Sequence, residues 1–240
     1  MQIYSKTDKG LKRETNQDGF LAAELADDIA FAVVCDGMGG ANAGNIASET
    51  AIKMISDYVI HSFRVNMDNI AVGKLLKNAL ESANIEIYDM ALKNKDLKGM
   101  GTTAVAALLR GNQAVIVHVG DSRAYLAGDE LVSLTRDHSI VQSLIESGKI
   151  TAEDAKVHPR KNVITRALGA EESVMPEISE FTIKDTESIL LCSDGLWGYA
   201  SEADILNTLG IETNDVAQKL IDLANDGGGG DNITVVILKP

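Results

Sequence analysis

Three aspartates stand where apolar runs end. Phe31-Ala32-Val33-Val34-Cys35 leads into Asp36-Gly37, Ala114-Val115-Ile116-Val117-His118-Val119-Gly120 into Asp121-Ser122, and Ile189-Leu190-Leu191-Cys192-Ser193 into Asp194-Gly195. Asp18 and Asp231 lie in polar segments beside further strand-like pieces. If these ends meet in space, the carboxylates repel one another too strongly to persist without cations. Carboxylate oxygens are hard ligands, suited to Mg²⁺ or Mn²⁺ and poorly suited to Zn²⁺. The plain alternative is turn chemistry, since Asp-Gly and Asp-Asn are ordinary turn dipeptides. Five such aspartates, three of them capping buried runs, favour a cation site.

Other residue types narrow the chemistry. Arg13 carries a planar fork that can hold a phosphate bidentately. His118 lies mid-strand among apolar residues and reads as a core histidine, whereas His138, in Thr135-Arg136-Asp137-His138-Ser139, suits the edge of a site. No Gly-Lys-Ser/Thr phosphate loop, no serine nucleophile elbow and no Cys-x₅-Arg cradle occurs, so covalent catalysis finds no candidate. The four glycines Gly227-Gly228-Gly229-Gly230 imitate a phosphate loop only superficially and read as a turn.

The elements that must position these groups follow from periodicity. The run before Asp36 reads as a strand buried on both faces and ending at the Asp, with a hairpin through Asp27-Asp28 joining it to Gly19–Ala23. After Gly44, Ile46, Thr50, Met54, Ile55, Tyr58 and Val59 share a helical face, and a second helix is predicted from Asn69 to Lys93. Residues 101–134 read as an antiparallel meander with turns at Gly111-Asn112 and Gly128-Asp129. Residues 137–165 are polar, with two short helices, the second opened by a Thr151/Asp154 capping box. A hairpin is predicted at Asp185-Thr186, helices near Ser201 and Thr213, and a last strand from Ile233 to Leu238. Strands in two blocks, with helices bunched between and after them, indicate an α+β layered fold.

With 240 residues, 45% of them hydrophobic and 4% aromatic, the chain can build a large aliphatic core. A net charge of −13 argues against nucleic acid and anionic membrane surfaces as partners. Cys35 and Cys192 read as buried, reduced thiols. No signal core and no membrane-length apolar run is present, so no membrane insertion and a cytoplasmic location are expected.

Taken in order, Arg13-x-x-Asn16-Gln17-Asp18, Val34-Cys35-Asp36-Gly37-Met38-Gly39-Gly40, Gly101-Thr102-Thr103, Gly120-Asp121-Ser122-Arg123, Thr165-Arg166-Ala167-Leu168-Gly169, Cys192-Ser193-Asp194-Gly195-Leu196 and Asp231-Asn232-Ile233-Thr234 resemble the metal-dependent protein phosphatases of type 2C, the PPM family. The resemblance implies an α+β fold built as a four-layer αββα sandwich, two antiparallel sheets flanked by helices. It implies one phosphatase domain over residues 1–240, with residues 137–165 as a flap beside the site. It further implies two core Mn²⁺ or Mg²⁺ ions between the sheets. Asp36 would bridge them, with the Gly37 carbonyl on one and Asp194 and Asp231 on the other. Asp18 would act through metal-bound water, Asp121 with Asp194 would hold a third, weaker ion, and Arg13 would bind the substrate phosphate. Arg13, Asp18 and Asp36 are thus the implied catalytic residues.

Three positions depart from the family pattern. Gln17 stands where many members have Glu, Met38 where eukaryotic members have a His proposed as general acid, and Gly198 where eukaryotic members have a further Asp. The implied activity is hydrolysis of phosphoserine and phosphothreonine in phosphorylated proteins by metal-activated water, without a phosphoenzyme. A cognate Ser/Thr kinase is the implied opposing partner, and a monomer is expected. Two other classes compete. A non-catalytic phosphopeptide-binding module would lack metal aspartates, and none is missing. A metal-dependent phosphodiesterase or nuclease would call for a basic stripe, which is absent.

Overall fold

The structure, a computed structural model, describes residues 1–39 and 43–240, so Gly40 of the second motif lies outside the described residues. In chain order the strands are β1 (Gln2–Asp8), β2 (Asp18–Ala26), β3 (Ile29–Met38), β4 (Gly101–Thr102), β5 (Ala104–Arg110), β6 (Gln113–Val119), β7 (Arg123–Ala127), β8 (Leu131–Ser133), β9 (Glu177–Thr182), β10 (Ser188–Cys192) and β11 (Ile233–Lys239). They form two antiparallel sheets, one ordered β1-β11-β10-β7-β8 and the other β2-β3-β5-β6-β9, with β4 paired to the end of β3. The helices are α1 (Ala43–Ser62), α2 (Asn69–Lys93), α3 (Ile140–Glu146), α4 (Ala152–Val157), α5 (Asp194–Trp197), α6 (Glu202–Leu209) and α7 (Val216–Asp226).

Four layers result because each central strand is apolar on both faces. In β3, Phe31, Val33 and Cys35 pack toward α1 and α2, while Ala30, Ala32 and Val34 face the other sheet. In β11, Ile233, Val235 and Ile237 pack against α6 and α7, while Val236 and Leu238 face inward. The small inward residues Ala30, Ala32, Ala107, Ala114 and Ala124 set the close approach of the two sheets.

Local signals carry over well. Helix α2 spans Asn69–Lys93 as predicted, with Asp68 accepting from the Ala71 amide at its start. The Thr151/Asp154 capping box opens α4. Residues 137–165 hold α3 and α4 and are closed at their base by a bridge between Ser139 and Ile164. Cys35 and Cys192 are buried free thiols.

Several expectations are corrected. Strand β3 does not stop at Asp36 but continues to Met38, because Gly37 and Met38 pair with Thr102 and Gly101. The 101–134 meander is broken: β6 belongs to one sheet and β7 to the other, with Gly120-Asp121-Ser122 crossing between them. Nor do β9 and β10 form a hairpin, since β9 pairs with β6 while β10 pairs with β7 and β11. Alternation reveals which face of a strand is apolar but not which strand lies beside it. On α1 the deeply buried face is Ala47, Ser48, Ala51, Ile55 and Val59, with Ile46, Met54 and Tyr58 half-buried at its flank. Small side chains let the helix approach the sheet. Helix α5, directly after β10, has no counterpart among the sequence expectations, and α7 starts at Val216 rather than near Thr213.

Candidate active site

The site lies at one end of the sandwich, where both sheets release their aspartates. Asp18 opens β2 and sits directly across from Asp36 in β3. Asp121 follows β6, Asp194 follows β10 as the first residue of α5, and Asp231 precedes β11. Asp121 is buried and the other four are half-buried. Sequence-distant carboxylates therefore do converge. Asp36 feels Asp18, Asp194, Asp121 and Asp231, and its carboxyl is pushed well above the usual range, by burial first and by those charges second.

The same physics acts on its neighbours. Burial raises Asp18 to about 7, against the pull of the Ser193 and Thr234 hydroxyls and with added repulsion from Asp194 and Asp231. Burial and Asp194 raise Asp121 to about 7. Burial and Asp231 raise Asp194 to about 6, although it lies within hydrogen-bonding reach of Asp36. Oδ1 of Asp18 and Oδ1 of Asp194 are buried without any partner. Orphaned buried carboxylate oxygens cost free energy unless a cation or proton satisfies them. An all-oxygen set with orphaned lone pairs fits hard divalent ions.

Backbone scaffolding fixes this arrangement. Oδ2 of Asp18 accepts from Ser193 Oγ and Thr234 Oγ1, both at 2.7 Å, tying β2 to the other sheet. The Asp36 amide donates to Thr103 Oγ1 at 2.9 Å, and the Asp36 carbonyl accepts from the Thr103 amide and Thr102 Oγ1, both at 2.9 Å. Thr103 in turn meets Ser122 at 2.7 Å, next to Asp121. A Cβ on Gly37 would run into the Gly44 and Gln17 carbonyls, so this position admits only glycine.

Arg13 stands at the edge of the cluster, donating to Asp231 Oδ2 at 2.6 Å, with its side chain half exposed. Its loop is pinned by Asn232, which donates to the Lys9 and Thr15 carbonyls and accepts from the Gln17 amide. Gln17 thus contributes its backbone to the frame. Gly198 ends α5 with its amide on the Asp194 carbonyl, against which a side chain there would press.

Arg123, the last residue of the Gly120-Asp121-Ser122-Arg123 motif, is a hub whose role its sequence context does not reveal. It forms a bidentate pair with Asp137 at 2.8 Å, donates to Tyr125 Oη at 2.8 Å, and lies 3.7 Å over the Trp197 ring. Trp197 Nε1 donates to the Asp121 carbonyl at 3.2 Å. Burial opposes the charge on Arg123, but Asp137 more than offsets it and its pKa rises. Substituting Arg123 by Met strands the Asp137 carboxylate, only 12% exposed, and is expected to cost roughly 3 kcal/mol in urea unfolding. Arg136, 3.7 Å from Glu146 with its side chain exposed, is the control, and its Met variant should lose no more than about 1 kcal/mol. Equal losses would contradict this account of Arg123.

Of the two histidines, His118 lies in the core, as its sequence context indicates. His118 is buried, but only half satisfied: Nε2 meets the Arg136 carbonyl at 2.8 Å while Nδ1 has no partner. His138 is also buried, stacked on His118 with ring centroids 4.7 Å apart, and holds the start of the flap rather than the site edge. Its Nδ1 accepts from the Gly120 amide at 3.1 Å and its Nε2 faces Glu177 at 3.0 Å. Among the described residues, His118, His138 and Glu177 alone bring three potential ligand atoms within 4.8 Å of one another. They do not fit an ion. With Nδ1 accepting, neutral His138 carries its proton on Nε2, and the Arg166 guanidinium already sits 2.9 Å from Glu177. The aspartates form a broader cluster.

Residues 6–233 match the protein phosphatase 2C family. The chain is 38% identical over 242 residues to the serine/threonine phosphatase stp of Listeria innocua, covering 100% of this chain and 96% of that protein. It superposes on the Streptococcus agalactiae serine/threonine phosphatase with a TM-score of 0.92 at 36% identity, over 100% of this chain and 99% of the other. A third match is the catalytic domain of the serine/threonine protein phosphatase PstP, solved with two manganese ions, at 35% identity and a TM-score of 0.83 over 98% and 96% of the two chains. Carboxylates gathered from both sheets, the arginine beside them and this likeness along the whole chain have one reading: the chain belongs to the protein phosphatase 2C family.

Proposed function

We propose that the chain is a metal-dependent protein serine/threonine phosphatase that releases phosphate from phosphoserine and phosphothreonine by direct attack of water. The observation that carries this reading is the half-buried aspartate cluster, with orphaned oxygens on Asp18 and Asp194, lying beside Arg13. Relatives along the full length are named serine/threonine phosphatases.

Asp36 would hold both core ions, with the Gly37 carbonyl, Asp194 and Asp231 completing them. Asp18 would steer their water, and Asp121 with Asp194 would serve a third ion. When bound, Mn²⁺ or Mg²⁺ lowers the pKa of water and draws charge from phosphoryl oxygens. The chain's own residues do the rest. Arg13 holds the phosphate in place and balances charge that develops on it. Ser193 and Thr234 keep one Asp18 oxygen engaged and leave the other without a protein partner. Neither thiol can serve as a nucleophile: burial drives Cys35 far above its usual range and Cys192 to about 12. Met38 has no proton to donate, so the departing alkoxide takes its proton from water or another group.

Residues 1–240 form one phosphatase domain on this reading, with 137–165 as its flap. The protein works as a monomer in the cytoplasm on phosphorylated proteins, against a Ser/Thr kinase. Among the described residues no helix is long and apolar enough to cross a membrane. Purified protein is expected to hydrolyse p-nitrophenyl phosphate only with Mn²⁺ or Mg²⁺ added, and to leave the bis-p-nitrophenyl diester intact. Undiminished turnover in EDTA would overturn the metal assignment, and preference for the diester would overturn the phosphatase.

A further inference from the structure

The four-glycine run before Asp231 does more than turn the chain. A side chain at Gly230 would strike the hydroxyl and ring of Tyr199, one at Gly228 would touch the same ring, and one at Gly227 would strike the Tyr199 carbonyl. The backbone of this turn is therefore a seat for Tyr199, which follows α5. On the other side, the Leu11 amide donates to the Gly229 carbonyl at 2.8 Å, and a Cβ at Gly229 would meet the Leu11 side chain. Gly229 also has φ +51, a conformation that favours glycine. Tyr199 and Leu11 thus flank one short turn that runs directly into Asp231, the partner of Arg13.

Both side chains remain open to solvent, Leu11 at 64% and Tyr199 at 37% exposure. The Tyr199 phenol lies within electrostatic reach of Asp231, Asp194 and Arg13. An aromatic ring and a leucine held rigidly beside the phosphate-binding arginine form an amphipathic lip at the mouth of the site. A phosphate at Arg13 would bring its attached peptide near that lip.

We propose that Tyr199, with Leu11, contacts the peptide segment adjoining the phosphorylated side chain and determines which phosphoproteins are accepted. This rests on the phosphatase reading and on Arg13 as the phosphate-binding residue. The lip adds nothing for a substrate that carries no flanking residues.

The test compares N-acetyl-phosphothreonine amide with a nonapeptide centred on phosphothreonine, both with Mn²⁺. Tyr199→Ala is expected to raise KM for the nonapeptide about tenfold, the equivalent of one lost aromatic contact, and to leave the blocked amino acid within about twofold. Leu11→Ala should act in the same direction. Tyr199→Phe with unchanged KM assigns the contact to the ring face, and a raised KM assigns it to the hydroxyl; either supports the proposal. An unchanged nonapeptide KM in Tyr199→Ala overturns it. So does an equal fall in turnover of both substrates, which would make the ring a prop for Asp231 alone. Wild-type protein inert toward both substrates overturns the phosphatase reading itself.

Discussion

Replacing Asp36 with Asn is expected to reduce Mn²⁺-dependent phosphate release by about a thousandfold or more, while raising the thermal midpoint of the protein in chelator. The two effects have one cause. Asp36 sits across from Asp18 and feels Asp194, Asp121 and Asp231, so its ionised form is strongly opposed by burial and by its neighbours. An amide removes the repulsion and keeps the shape. Each kcal/mol relieved moves the midpoint of a chain this long by roughly 2–4 °C. The same variant loses a ligand that both ions would share, so Mn²⁺ should stabilise it far less than the wild type. Calorimetry of both proteins in EDTA and in Mn²⁺, beside the phosphatase assay, checks each part. A variant that is less stable in EDTA, or that keeps its full response to Mn²⁺, would show that Asp36 is not at the focus of the cluster.

The chelated protein should lose stability as pH rises from about 4 to about 8. Asp18 and Asp121 are raised to about 7 and Asp194 to about 6 in the folded chain, against about 3.9 when unfolded. Across that window the folded state holds more protons than the unfolded state, so the slope of unfolding free energy with pH is negative. Above about pH 8, Asp18, Asp121 and Asp194 are ionised in both states and their contribution to the slope levels off. Mn²⁺ replaces the missing protons, and its stabilisation should therefore be larger near about pH 8 than near about pH 5. Thermal midpoints in EDTA that are flat or rise over this range would contradict the electrostatic account. This prediction concerns stability and can be read without any substrate.

Much of the molecule was legible locally. The apolar run of β3, small and β-branched after Phe31, announces a strand covered on both sides, and Phe31 and Ala32 indeed face different cores. Helix α2 and the capping box of α4 follow from spacings within a few residues. The Asp-Gly strand ends pointed to one site because the chemistry of clustered carboxylates is restrictive. Each motif except that at residues 165–169 also includes an end of a strand that builds it.

What remained hidden depends on contacts between distant segments. A strand's alternation is identical whether its neighbour is β7 or β9, so the passage of the chain from one sheet to the other at Gly120-Asp121-Ser122 could not be read. That passage is what carries Asp121 to the aspartates of both sheets. The expected face of α1 holds at Ile55 and Val59 but omits Ala47 and Ala51, because large apolar residues look like core whereas close approach to a sheet selects small ones. Arg123, Asp137 and Trp197 are unremarkable apart; only folding stacks the guanidinium on the ring and seats the indole against the Asp121 carbonyl. Residue type and order thus determined the chemistry available and the segments that bear it. Tertiary packing alone decided which segments became neighbours, because pairing between strands and burial of charge are set by the whole chain at once.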